Sequence, residues 1–528
     1  MRIFAALLLG LSLAAFCAAP ALAAKTELTF SWPSNCGPLN PHLYSPNQMY
    51  AQAMVYEPLV HYGDDGSVVP WLAESFEISP DGTLYTFRLR PGVVFSDGEP
   101  FDAKAVKMNV DAVLLNAKRH SWLELINQIE GCEIVDDMTV RLKLKNPYYP
   151  ILQELALIRP LRFLSPAAIP PDGNTSMGIA APVGTGPWIL AESKKGEYDV
   201  FVRNERYWGQ KPALEKITVK VLPDPESRVI ALQTGQIDLI YGAGGHSAAQ
   251  IGLEAFVRLE REGRFSTGVS GPLSSRLLAV NSARGPTSEL PVRLAIQHAV
   301  DKDLLNQAIF LGVEKQADFL FTPIMPYCDL GLKPFAYDRA KAEQILDEAG
   351  WTLAPGARVR AKDGRDLVVD FCFTGNDALH KAIAEALQGE LAKIGMHLNL
   401  IGEESDSFLK RQKDGEFGMI FNDTWGAPYE PHAMVGSMRA PSHADYQAQV
   451  GLPMKSELDQ KITQVLLTTD ETTRQAMYRD ILTTLHEQAV YLPLTYMTSV
   501  RAHNPKLQGV EFTPMRQIIP FERMRWAD

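Results

Sequence analysis

The chain has 528 residues, 46% of them hydrophobic, and a formal net charge of −11. That length predicts two or three domains rather than one, and the hydrophobic share supports large cores and excludes a disordered chain. The acidic balance excludes a nucleic-acid binder, which needs a basic face.

The chain opens MRIFAALLLGLSLAAFCAAPALAA, with Arg2, an apolar run from Ile3 to Phe16 and a small-x-small site at Ala21-Leu22-Ala23. The run is too short to span a bilayer, and the pattern predicts a secretory signal peptide over residues 1–23. Cys17 offers a lipoprotein alternative. It ranks second because bulky Phe16 stands where a small residue is expected. No later apolar run is long enough for a membrane helix, so the mature chain is expected to be soluble and exported. Residues 25–32 (KTELTFSW) alternate and read as a strand, as do 83–90 (TLYTFRLR) and 139–145 (TVRLKLK). SPDG before the second of these marks a turn. Residues 101–117 show helical spacing, as do DRAKAEQILDEAG and ALHKAIAEALQGELAKIG, each ending at a Gly. The picture is a mixed α/β chain of more than one lobe, without repeats or long linkers.

Four cysteines follow the signal segment, Cys36, Cys132, Cys328 and Cys372, with no CxxC spacing. Metal-thiolate and redox motifs are therefore unsupported. An oxidising compartment allows one or two disulfides, and spacing assigns no pairing. Near the C-terminal end, Thr424 to Asp445 (TWGAPYEPHAMVGSMRAPSHAD) holds two histidines, a Trp and a Tyr among three prolines. Each interior Pro removes a helix donor, so this stretch is predicted to be loop or broken helix. Loops of that kind gather binding groups.

Hydrolytic motifs are missing. There is no GxSxG elbow, and HEQAV at 486–490 lacks the second His of HExxH. There is no P-loop, and GTGPW at 184–188 is too short for GxGxxG. A spatial pair of carboxylates in a secreted hydrolase stays open on these grounds, but nothing favours it.

Residues 71–106 (WLAESFEISPDGTLYTFRLRPGVVFSDGEPFDAKAV), VGTGPW, NERYW, TGQIDLIYG, VRLAIQHAVDKDLL and AEQILDEAGW resemble, in order, the periplasmic solute-binding proteins of peptide and nickel ABC importers. Within that family, LNPHLY, RHSWLELINQI, TWGAPYEPHA and PSHAD resemble the nickel-binding branch. The resemblance implies an α/β, two-lobed periplasmic binding protein fold of type II-like kind, with a hinge, an interlobe cleft and an extra subdomain in lobe I. It implies lobe I at 24–270, with the subdomain at about 71–198, lobe II at 271–496, and a return segment at 497–528. It implies a monomer that is no enzyme, uses no catalytic cofactor, and delivers cargo to the permease and ATPase complex of an ABC importer. Its cargo would be nickel(II) as a small-molecule chelate. A peptide or haem binder on the same fold is the alternative.

The residues bear on that cargo directly. Nickel favours imidazole nitrogen and needs four to six donors. The 11 histidines form no HxH or HxxxH pair, so most donors must come from a chelator, and a carboxylate-bearing one is the simple candidate. A guanidinium fork matches a carboxylate bidentately. Arg159 (ALIRPL) and Arg119 (AKRHSWL) are the candidates; taken blindly, either is a structural or solvent-facing group, and the resemblance implies that they hold chelator carboxylates. Trp122, Trp425 and Tyr429 are core aromatics on residue type alone; the resemblance puts them in the cleft wall, with Tyr44 and Trp32 as further members. Met49 has a soft thioether that suits a pocket near metal without being an obligatory ligand. His443 reads alone as an exposed loop histidine, whereas the resemblance implies a direct metal ligand. His432 is ranked as structural or as a neighbour of the ligating shell. Leu409 and Gln517 depart from the branch's pattern, where a tyrosine and a threonine stand.

Overall fold

The computed structural model describes residues 25–43, 48–242 and 250–527. The predicted signal segment with Cys17, and Tyr44, lie outside the described residues. The predicted elements form close to their expected bounds, for local reasons. Helix Ala103–Leu115 starts where the Asp102 side chain accepts the Ala105 N–H at 2.8 Å, and it buries Val106, Val110 and Val113 along one face. Asp338 caps Arg339–Glu348 through the Lys341 N–H at 2.9 Å. Asp377 caps Ala378–Ala392 through two N–H groups, at 2.9 and 3.0 Å. Each cap satisfies helix-start donors that have no partner within the helix.

The strands divide into two lobes. In the first, Glu27–Trp32, Lys216–Val221, Tyr198–Arg203 and Trp188–Lys194 form a four-stranded sheet in that order, with the first pair parallel. Ala73–Ile78, Leu84–Leu89, Thr139–Leu144 and Ile129–Asp136 form a separate antiparallel sheet. A small sheet pairs Val500–His503 with both Leu239–Tyr241 and Ser266–Val269, which draws the C-terminal segment into this lobe. The second lobe holds a six-stranded mixed sheet ordered Lys315–Gln316, Tyr491–Met497, Ser274–Val280, Met419–Phe421, Val368–Thr374 and His397–Glu403.

The chain passes between the small sheet and the six-stranded sheet twice, side by side. Ser270 N–H donates to Ser499 O at 2.9 Å, Ser499 N–H to Ser270 Oγ at 2.8 Å, and Leu273 N–H to Met497 O at 2.9 Å. Two short adjacent connections form a compact hinge. Beside it, one apolar core takes residues from both lobes, including Met49, Leu157 and Phe163 from the first and Tyr429, Met434 and Tyr478 from the second. Contacts across the divide include Tyr149 and Tyr478, whose hydroxyls are 2.7 Å apart.

The four cysteines are free and buried. Cys36 sits in the first lobe's own core, whereas Cys132, Cys328 and Cys372 lie at separate points of the shared one. Burial pushes the thiols up, those of Cys132 and Cys372 to about 12, so they act as small apolar groups. Among the described residues, no helix is long and apolar enough to cross a membrane.

Candidate ligand-binding site

The proline-rich stretch folds as loop and two short helices, His432–Ser437 and Ala444–Gln449. It starts beside a buried ion cluster. Arg276 lies 3.1 Å from Glu314 and 3.6 Å from Asp423, and Thr495 Oγ1 donates to Glu314. The next residue, Thr424, is stitched to the first strand of the second lobe. Its N–H donates to Ser275 O at 2.8 Å and its hydroxyl accepts the Ser275 N–H at 2.7 Å. Gly426 follows with φ of 77°, and a Cβ there would stand 2.6 Å from Leu273 O. Only glycine meets both demands. Glu430 closes the turn by accepting the Gly426 N–H at 2.5 Å. It is 3% exposed, and burial raises its carboxyl to about 7.

This loop brings several predicted residues into one row. The Arg159 guanidinium lies 4.6 Å from the Trp122 ring centroid. Trp122 lies 6.4 Å from Tyr429, Tyr429 is edge-on to Trp425 at 6.0 Å, and Trp425 is 6.2 Å from the His443 ring. Arg159 and Trp122 come from the first lobe, and the other three from the second. Arg159 and Trp122 are half-buried, as are Trp425 and His443. His443 precedes helix Ala444–Gln449. That helix is anchored by buried Asp445, which accepts from Tyr491 Oη at 2.9 Å and Asn422 Nδ2 at 2.7 Å. Burial raises the Asp445 carboxyl, against the pull of Tyr491 and the nearby His443.

Arg119 is exposed, and its Nη2 donates to Leu43 O at 3.1 Å. It flanks His120, whose pKa falls to about 4, mainly through burial and then through the charges of Arg119 and Arg159. The two guanidiniums therefore share one electropositive neighbourhood around a neutral imidazole. The segment ahead of Tyr44 is held by buried His42, whose ring nitrogens meet Thr175 Oγ1 at 3.0 Å and Asn109 Oδ1 at 3.1 Å. Burial lowers its pKa to about 4.

Met49 begins helix Met49–Val55 and is buried in the same core as Tyr429. Trp32 is placed elsewhere. It is 6% exposed and packs on Tyr50 at 4.4 Å and Phe30 at 5.9 Å in the first lobe's core. Its strand pairs with Lys216–Val221, and the row does not include it. His432 is buried against Glu154, 3.4 Å away, and Glu154 also accepts from Leu125 N–H at 2.9 Å and Tyr148 Oη at 2.7 Å. That places His432 in a polar contact between the lobes. Leu409 is 55% exposed on helix Ser405–Asp414, which buries none of its residues.

One carboxylate escaped the sequence reading. Glu57 is buried in the first lobe and accepts from Trp71 Nε1, Trp208 Nε1 and Thr185 Oγ1, each at 2.8 Å, and from Tyr207 Oη at 3.1 Å. Trp71 belongs to WLAES, Thr185 to VGTGPW, and Tyr207 and Trp208 to NERYW. Motifs read separately along the chain are thus tied to one acceptor. A groove of about 820 Å³ lies beside this knot, lined by His61, Trp71, Trp208 and Arg523 among others. It is separate from the Arg159–His443 row.

Two α/β lobes joined by a double crossing, with a row of cationic, aromatic and imidazole groups running from one to the other, define a two-lobed solute-binding protein. Residues 67–446 match the family described as "Bacterial extracellular solute-binding proteins, family 5 Middle", and the chain belongs to that family. It is 52% identical over 503 residues to the nickel-binding periplasmic protein of Escherichia coli (strain K12), covering 95% of each chain. The crystal structure of NikA from Brucella suis in complex with Fe(III)-EDTA is 56% identical, with a TM-score of 0.92, over 95% of this chain and 100% of that one. The dipeptide-binding protein of Escherichia coli (strain K12) is 26% identical over 535 residues, with 96% of each chain covered.

Proposed function

We propose that this protein captures a nickel chelate in the periplasm and hands it to the permease and ATPase of an ABC importer, without catalytic turnover. The lobes are residues 24–270 with 497–528, and residues 271–496, and they close on cargo about the crossings near 270–273 and 498–499. The observation that carries this reading is the row from Arg159 through Trp122, Tyr429 and Trp425 to His443, which joins the lobes. Identity of 52% to a nickel-binding protein, against 26% to a dipeptide binder, supports nickel over peptide. A peptide binder would instead pair a free amine with a carboxylate and align the peptide backbone as an added strand.

In this reading Arg159 and Arg119 hold chelator carboxylates, and Trp122, Trp425, Tyr429 and Met49 exclude water. His443 completes a coordination position that the chelator leaves open. Among the described residues, no three His, Cys, Asp or Glu side chains gather as a metal cage. The metal's remaining donors therefore come from the chelator.

Calorimetry tests the reading. Nickel alone binds weakly and nickel with L-histidine binds tightly. His443→Ala weakens nickel–histidine and spares a fully coordinated hexadentate chelate. Tight binding of bare nickel, or equal harm to both complexes, overturns the assignment of His443. A peptide or haem, rather than a metal complex, on protein taken from its own periplasm by native mass spectrometry overturns the cargo.

A further inference from the structure

Arg516 lies on the return segment. Thr513 Oγ1 donates to Met515 O at 2.9 Å and to Ile518 O at 3.2 Å, and Ile518 N–H donates to Met515 O at 2.9 Å. These bonds close a tight turn whose tip is Arg516 and Gln517. Met515 is buried in the core that holds Met49 and Tyr429, which fixes the base of the turn. The tip reaches the second lobe, where Arg516 Nη1 lies 3.4 Å from Ser274 Oγ, a long contact. Ser274 lies next to Gly426, the residue after Trp425: a Cβ built on that glycine would stand 3.4 Å from Ser274 Cβ. The charges of Asp423, Glu430 and Arg276 and the phenol of Tyr429 act electrostatically on the Arg516 guanidinium.

The guanidinium is poorly satisfied where it stands. Among the described residues it makes no ion pair, and Ser274 is its one hydrogen-bond partner. Asp423 already pairs with Arg276 at 3.6 Å. Glu430 spends one oxygen on the Gly426 N–H. Desolvation lowers the Arg516 pKa, as a half-buried cation without an ion pair requires. A half-buried guanidinium whose donors the protein leaves largely unpaired is open to a carboxylate from a ligand.

We propose that Arg516 is a third guanidinium of the cleft, reading an additional carboxylate of the bound chelate and so setting which chelates the protein prefers. This rests on the nickel-chelate reading above. Arg159 and Arg119 hold the carboxylates of a small amino-acid chelate, and Arg516 at the hinge side engages only complexes that carry more. The bidentate fork makes arginine selective for carboxylate there, and lysine an incomplete substitute.

The test titrates the signal-cleaved protein calorimetrically with nickel plus L-histidine and with Fe(III)-EDTA. Arg516→Gln weakens Fe(III)-EDTA about ten- to hundredfold, the span of a charge-assisted bond, and nickel–histidine by less than about threefold. Arg516→Lys restores part of the Fe(III)-EDTA affinity. Equal loss on both complexes overturns the proposal. So does unchanged affinity for both with a lower melting temperature, which marks Arg516 as a counter-charge for Asp423 and Glu430. If Arg516→Gln does not fold, Arg516→Lys decides: weaker Fe(III)-EDTA with unchanged nickel–histidine supports the proposal, and no change in either overturns it. Wild-type protein that binds neither complex defeats the nickel-chelate reading itself, whereas wild-type binding left untouched by both variants defeats only the role of Arg516.

Discussion

Glu57 and the Arg159–His443 row are both built from aromatics and a charged group, yet they are opposite kinds of place. At Glu57 four donors surround one buried carboxylate, at 2.8 to 3.1 Å, all within the first lobe. In the row all groups but the buried Tyr429 are half-buried, the ring centroids lie 6.0 to 6.4 Å apart, and the residues belong to different lobes. A fully satisfied buried charge rigidifies the frame. A set of partly open groups split across a hinge leaves polar and aromatic groups that the frame itself does not use. The motifs that speak most loudly in the sequence hold the frame, and the quieter loop residues form the row between the lobes.

The largest expected effect breaks the frame alone. Glu57→Ala leaves the Trp71, Trp208, Tyr207 and Thr185 donors without an acceptor and lowers stability by about 3–5 kcal/mol in urea denaturation. The folded fraction keeps its affinity for nickel–histidine within about threefold, because distant sites act independently. Parallel loss of affinity would mean that knot and row are one unit.

Arg159→Ala is the mirror experiment. It weakens nickel–histidine by about 1.5–3 kcal/mol in calorimetry, roughly ten- to hundredfold. The urea midpoint of the ligand-free protein changes little. A large stability loss with unchanged affinity would return Arg159 to the frame.

Glu430 sits between the two kinds, since it is buried but holds the loop that carries Trp425 and Tyr429. Its folded pKa is raised from the ordinary 4.5 to about 7. Between those values the folded state binds more protons than the unfolded one. Its contribution to stability is therefore complete below about pH 4.5 and is lost as pH rises to about 7, on the order of 1–3 kcal/mol. Glu430→Gln cannot titrate, so its urea midpoint falls less between pH 5 and pH 8 than that of the wild type. Identical profiles would show that Glu430 titrates as in water.

The smallest effect is expected at Leu409. It is 55% exposed on a helix with no fully buried residue, so Leu409→Ala changes stability by less than about 0.5 kcal/mol by thermal denaturation. A larger change would place this helix in the frame.

The elements were legible because their causes are local. Asp102, Asp338 and Asp377 stand immediately before the helices they cap, and an apolar face repeating every three or four residues needs no knowledge of the partner it packs on. The prolines of 424–445 likewise announced a broken segment, and the ordered motifs from 71 to 351 announced the family. Convergence was another matter. Trp32 and Trp122 are the same residue type, yet the first enters the core of one sheet and the second stands beside Arg159. Arg516 is one arginine among many until its turn sets it against Ser274. The four cysteines, spaced without a motif, are free because packing holds them at separate points. Capping and periodicity are interactions within a few residues, which the sequence by itself determines. The row, the Glu57 knot and the place of Arg516 join residues far apart in the chain, and only the packing of two lobes about a shared hinge decides which of them meet.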